Sequence, residues 1–147
     1  MKSVVAARTA CVDLPGFALQ LLFQQHPEWR NTPTAVISKE TGSGKILMAS
    51  ASAQKRGITA GLRYASALGL VPELRAAAVP GNRIKNSTTE VLTCLQTFSP
   101  KVQATRKHSG TFWMVLSGIE RLYPSIDLWA KRVLEALRRI GLKAVVV

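Results

Sequence analysis

Asp13 has the clearest chemical potential in this sequence. It closes a mostly apolar run (Val4, Val5, Ala6, Ala10, Cys11, Val12) and is the only acid in the first 27 residues. A carboxylate at the point where a buried strand gives way to a helix can ligate a metal ion. It can equally serve as an N-cap that accepts amides of the first helical turn, and on these residues alone the cap is the favoured use. Other candidates are few. Gly42-Ser43-Gly44-Lys45 has the composition of a phosphate loop, but Ile46 replaces the required Ser or Thr and a strand-like run follows instead of a helix. His26 and His108 have no second ligand at helical spacing, which argues against zinc. Cys11 and Cys94 stand singly in apolar segments and read as buried thiols.

The elements that must position Asp13 follow from hydrophobic periodicity. A strand buried on both faces is expected up to Val12, starting as late as Thr9 if Arg8 interrupts it. Leu14-Pro15-Gly16 makes a turn, with Pro15 suited to the first turn of the helix that carries Phe17, Leu21 and Gln24. Thr34–Ser38 and Lys45–Ser50 form a hairpin. Short helices are expected over 51–56, closed by Gly57, and over 62–70, then a short strand over 76–79. Asn82–Phe98 is a long helix with Ile84, Val91, Leu92, Leu95 and Phe98 on its core face. Lys101–Lys107 and Thr111–Leu116 form a second hairpin. A short helix or turn follows over 118–123. Ser125–Ile140 is the clearest helix, with Ile126, Trp129, Ala130, Val133, Leu134, Leu137 and Ile140 in one stripe. Leu142–Val147 is a final strand. With the segment from about Gln24 to Val79 set apart as an inserted lobe, the order is βαββαβ. That is an α/β (α+β) chain with a ferredoxin-like split βαβ arrangement.

Twenty Lys and Arg against eight Asp and Glu give a net charge of +12, spread along the chain instead of gathered in a tail. A field of that sign attracts polyanions, chiefly nucleic acid. Hydrophobic residues make up 47% of the chain, which excludes a disordered chain. No apolar run reaches the length of a membrane span and no secretory leader is evident, so a cytoplasmic location is expected. A strand of buried type at the very end suggests a truncated chain or fragment.

The segments VDLPGF (12–17), ASASAQKRGITAGLRYASALGLVPEL (49–74), FSPKVQ (98–103), FWMVLSGIERLYPS (112–125) and GLKAVVV (141–147) together resemble the palm and fingers of a Y-family DNA polymerase. The resemblance is strongest to the ImuB branch, the polymerase-like proteins of bacterial damage-induced (SOS) mutagenesis. It implies a palm-like domain from residues 1–23 and 80–147, incomplete at its C-terminus, and a fingers-like lobe from 24–79. It also implies a bacterial, nucleoid-associated location. Active members hold two Mg²⁺ ions on three palm carboxylates. Asp13 matches the first; the adjacent acid pair falls on Gly110 and Thr111, and the nearby second Asp of the first motif becomes Pro15. The residue that screens the sugar becomes Ala18. The fingers Tyr and Arg that hold the triphosphate fall on Ala51 and Gln54. Two divalent ions roughly 4 Å apart repel by about 17 kcal/mol at an effective dielectric of about 20, so carboxylates must offset what the nucleotide phosphates do not. No acid lies between Glu90 and Glu120, so a small shift in alignment restores no pair.

The resemblance thus implies a non-catalytic adaptor in translesion synthesis, with no catalytic, nucleotide-binding or metal residues and no cofactor. Its implied partners are DNA, a sliding clamp, an ImuA-type protein and an error-prone polymerase subunit, contacted largely through sequence beyond Val147, and no membrane. Lys55, Arg56, Arg63, Arg106 and Lys107 are the candidate DNA contacts. Two alternatives stand beside it. One is an active Mg-dependent translesion polymerase using Asp13, with Glu120 or Asp127 as recruited acids. The other is a stand-alone basic nucleic-acid-binding domain.

Overall fold

The structure, a computed structural model, describes residues 8–147. Along the chain the elements are β1 (Thr9–Asp13), α1 (Phe17–Gln25), β2 (Thr34–Ile37), β3 (Ile46–Ala49), α2 (Ala51–Lys55), α3 (Tyr64–Leu70), β4 (Arg75–Ala77), α4 (Gly81–Leu95), β5 (Val102–Ala104), β6 (Thr111–Val115), α5 (Ile126–Arg139) and β7 (Val145–Val146). Two compact units result. One joins the segment ending at Pro15 to Lys85–Val147, and the other is Gly16–Ile84.

The first unit holds a sheet in the order β5-β6-β1-β7, with every neighbouring pair antiparallel. This is the order expected of a βαββαβ chain in which β6 inserts between β5 and β1. The expectation that β1 is buried on both faces is corrected. Ala10 and Val12 are buried while Thr9 is exposed and Cys11 and Asp13 are half-buried, and β6 alternates likewise with Phe112 and Met114 inside. An antiparallel sheet needs only one covered face, and here the other stays accessible. Val4, Val5 and Ala6 lie outside the described residues. On α5, Trp129, Val133 and Leu137 are fully buried at a spacing of one helical turn, but the ends of the expected stripe, Ile126 and Ile140, are exposed. Ser125 caps α5 by accepting the Leu128 amide at 3.1 Å. The final strand is shorter than expected, although Cys11 and Val147 still exchange both backbone hydrogen bonds (3.0 and 2.9 Å).

In the second unit the order is β3-β2-β4, with β2 antiparallel to β3 and parallel to β4. The strand buried on both faces is β2, where Thr34, Ala35, Val36 and Ile37 are all inside. A central strand covered on both sides has no polar face, hence its unbroken TAVI. Ala35, Ile37, Ile46, Ala53, Ile58 and Val71 belong to one buried cluster. The Gly42–Lys45 segment is the β2–β3 turn. The Gly44 amide is donated to the Thr41 carbonyl (2.8 Å) and the Lys45 amide to Ser38 Oγ (2.9 Å), so neither is offered to a phosphate.

Helix α4 starts one residue early and ends at Leu95, so Phe98 falls outside it; Ser87, Val91 and Leu95 are its buried residues. Phe98 instead contributes its carbonyl, which accepts Trp129 Nε1–H at 2.8 Å.

Candidate palm-like site

Asp13 is not a helix cap. The N-cap of α1 is Gly16, in a left-handed conformation (φ 55°) with no side-chain cap, and Pro15 lies outside the helix. Asp13 lies three residues before that cap, and its carboxylate accepts a hydroxyl from β6. What β1 and β6 do instead is bring Asp13 opposite Thr111 in register. The Thr111 hydroxyl donates to Asp13 Oδ1 at 3.0 Å, and the Leu14 amide donates to the Gly110 carbonyl at 2.8 Å. Gly110 is buried and has φ 88°, a conformation that costs an L side chain about 1–2 kcal/mol. The residue opposite Asp13 therefore carries a hydroxyl already bonded to it, and the one before it, opposite Leu14, is a glycine with no side chain to offer.

That donor set is one carboxylate beside one hydroxyl, which does not fit a pair of divalent ions. Among the described residues no group of three or more His, Cys, Asp and Glu is placed to hold a metal ion. Glu120 sits in a 3-10 turn over Ile119–Arg121, and Asp127 sits in the first turn of α5, where its charge favours the helix dipole.

Cys11 lies two residues before Asp13 on the same face of β1. Burial pushes its thiol above the ordinary cysteine value, and the neighbouring Asp13 charge adds to the rise. The thiolate, which is the nucleophile, is thereby depleted across neutral pH. Alkylation of Cys11 at pH 8, followed by peptide mass mapping, should be slower than that of a free cysteine. In Asp13→Asn the rate should rise, since the second of the two causes is removed; an unchanged rate would contradict the coupling. Burial likewise raises the Cys94 thiol.

In the second unit Ala51 is the exposed first residue of α2, behind the cap Ser50, whose Oγ accepts the Ala53 amide at 3.3 Å. Gln54 donates its amide to the Ala49 carbonyl at 2.9 Å. It lines a groove of about 570 Å³ with Leu19, Leu47, Met48, Ile58 and Thr59, and no Lys or Arg lines that groove. A triphosphate carries several negative charges, and this lining offers none to match them.

The five candidate cations do not form one cluster by sequence position. Arg56 is ion-paired with Glu73, which occupies it. Lys55 is exposed in the last turn of α2, and Arg63 is exposed at the N-cap of α3. A backbone bridge sets Lys45 beside Arg63, a neighbour that sequence reading did not supply because it depends on strand register. Arg106 and Lys107 stand together, exposed, in the β5–β6 turn. His26 stacks on Trp29 (centroids 3.8 Å apart, planes 8° off parallel) and so has a local packing role.

The family model described as IMS, impB/mucB/samB family, matches residues 12–145. The chain belongs to this family. DNA polymerase eta of Drosophila melanogaster is 34% identical over 96 residues, covering 60% of this chain and 11% of that protein. Among solved structures, the insertion ternary complex of Dbh DNA polymerase superposes with a TM-score of 0.78 at 17% identity, over 94% of this chain and 41% of that one. DinB from Sulfolobus solfataricus gives a TM-score of 0.76 at 17% identity, over 94% of this chain and 40% of that one. The fold is thus that of the Y-family polymerase palm and fingers, and the chain spans well under half the length of these relatives. Among the described residues no helix is long and apolar enough to cross a membrane.

Proposed function

We propose that the protein is a non-catalytic Y-family polymerase-like adaptor of the ImuB type, acting in bacterial damage-induced translesion synthesis. The palm-like part is residues 1–23 with 80–147, and the fingers-like part 24–79. One observation carries the reading: Asp13 faces the Thr111 hydroxyl, and Gly110 precedes it, where an active palm needs an acid pair. The uncharged groove beside Gln54 supports it, because the fingers contacts to a triphosphate would fall there. The surplus of positive charge suits DNA contact through Lys55, Arg56, Arg63, Arg106 and Lys107. A sliding clamp, an ImuA-type protein and an error-prone polymerase subunit are the partners this reading entails.

The identity to DNA polymerase eta favours a second reading, an active Mg-dependent polymerase that uses Asp13. Primer extension separates the two. The assay uses Mg²⁺ and Mn²⁺ on undamaged and lesion-bearing templates, with Asp13→Ala beside the parent. The adaptor predicts no incorporation by either protein while DNA retention persists. Incorporation that disappears in Asp13→Ala would overturn it.

A further inference from the structure

The accessible face of the β5-β6-β1-β7 sheet has a composition that the adaptor reading leaves unused. Register places Cys11 opposite Trp113 and Gln103 opposite Trp113, and Val147 exchanges backbone bonds with Cys11. Val147, Cys11, Trp113 and Gln103 therefore form one row across all four strands, on one face. The indole of Trp113 is at the row's centre, on an inner strand, and is 45% exposed, whereas its strand neighbours Phe112 and Met114 are buried. An exposed tryptophan in the middle of a sheet face is not explained by core packing.

The charge at the two ends of this face is positive, with one carboxylate, Asp13, between them. Lys101 lies two residues before Gln103, its carbonyl accepting the Val115 amide, and is exposed on the same edge strand end. Arg106 and Lys107 are exposed in the turn at the other end of the hairpin. Asp13 accepts the Thr111 hydroxyl and keeps its charge, so a phosphate backbone on this face has to pass on the Lys101 and Arg106–Lys107 sides of it. Cations at both ends of a strand-long face suit a phosphate backbone running along it, and an aromatic face midway suits a base lifted out of the stack. Single-stranded nucleic acid is read in this way on other βαββαβ sheets, whose inner-strand aromatics stack bases. The exposed amide of Gln103 offers a donor and an acceptor to the edge of such a base.

We propose that the accessible face of this sheet binds single-stranded nucleic acid by stacking a base on Trp113, with Lys101, Arg106 and Lys107 along the backbone. The site deepens the DNA-contact part of the proposed function and does not depend on the adaptor role. The probe is a fluorescently labelled thymidine oligonucleotide of about a dozen residues, titrated with the whole chain at several salt concentrations. Trp113→Ala should weaken binding about tenfold with an unchanged salt slope, since a stacked ring displaces no counterion. Trp113→Phe should retain most of the affinity. Arg106→Ala should lower the slope by about 0.7 instead. Equal affinity of Trp113→Ala and the parent would overturn the site while leaving cation-mediated DNA contact standing. No binding by the parent would overturn both. Altered sedimentation of Trp113→Ala without loss of DNA affinity would assign the face to a second copy of the chain and overturn the proposal too.

Discussion

Replacing Trp129 by alanine is expected to remove about 3–5 kcal/mol of stability. The side chain is fully buried in α5, and its Nε1–H is held by the Phe98 carbonyl at 2.8 Å. Truncation leaves a large cavity and also strands a backbone acceptor. The consequence extends beyond the helix. Phe98 immediately precedes Ser99, whose hydroxyl shares its proton between the Val115 carbonyl (2.6 Å) and the Lys101 carbonyl (2.9 Å). Those bonds set the entry of β5 against the end of β6, the hairpin that presents Thr111, Trp113, Arg106 and Lys107. Loosening at Phe98 therefore reaches the candidate site through one peptide bond and the Ser99 hydroxyl. Urea unfolding should show a lower midpoint in Trp129→Ala, with Trp129→Phe intermediate because it keeps a six-membered aromatic ring while losing the rest of the indole and the hydrogen bond, the latter a cost of about 1–3 kcal/mol. A loss below about 1 kcal/mol in Trp129→Ala would contradict the assigned packing.

Gly44→Ala is expected to destabilise the second unit by about 1–3 kcal/mol, the range for forcing atoms into filled space. A Cβ at this buried position would overlap the Lys39 carbonyl oxygen and press on that of Thr41. Both are backbone atoms, so no side chain can swing aside. Relief requires opening the turn, which breaks the Gly44 amide bond to Thr41 (2.8 Å) and the Tyr64 amide bond to the Gly44 carbonyl (2.7 Å). The second bond ties the β2–β3 turn to the start of α3. Limited proteolysis should cut Gly44→Ala within the turn at a protease level that leaves the parent intact. Gly42→Ala is the control: its Cβ would meet only Ala65 Cβ at 3.5 Å, an ordinary contact, and its resistance should match the parent. Equal resistance of Gly44→Ala and the parent would count against this geometry.

Periodicity and absence were the legible parts. The helix over 126–139 declares itself because its apolar residues recur with the helical turn, and Trp129, Val133 and Leu137 are inside as that spacing requires. Both hairpins and the βαββαβ order follow from short apolar runs separated by turn residues. The lack of acids between Glu90 and Glu120 is a property of composition, so no folding detail can change it.

Partnership was decided by tertiary structure. Asp13 and Thr111 are 98 residues apart, and only the register of β1 on β6 makes one the hydrogen-bond partner of the other. Asp13 loses the cap role because a left-handed Gly16 starts α1. Arg56 is ion-paired with Glu73, a residue that local pattern does not connect to it. The accessibility of Trp113 follows from which face of an antiparallel sheet is covered, and a one-residue slip would have buried it. Local sequence sets which residues share a face of an element. Which face meets water, and which distant residue stands opposite, is settled only when strands and helices from far apart in the chain compete for the same buried space.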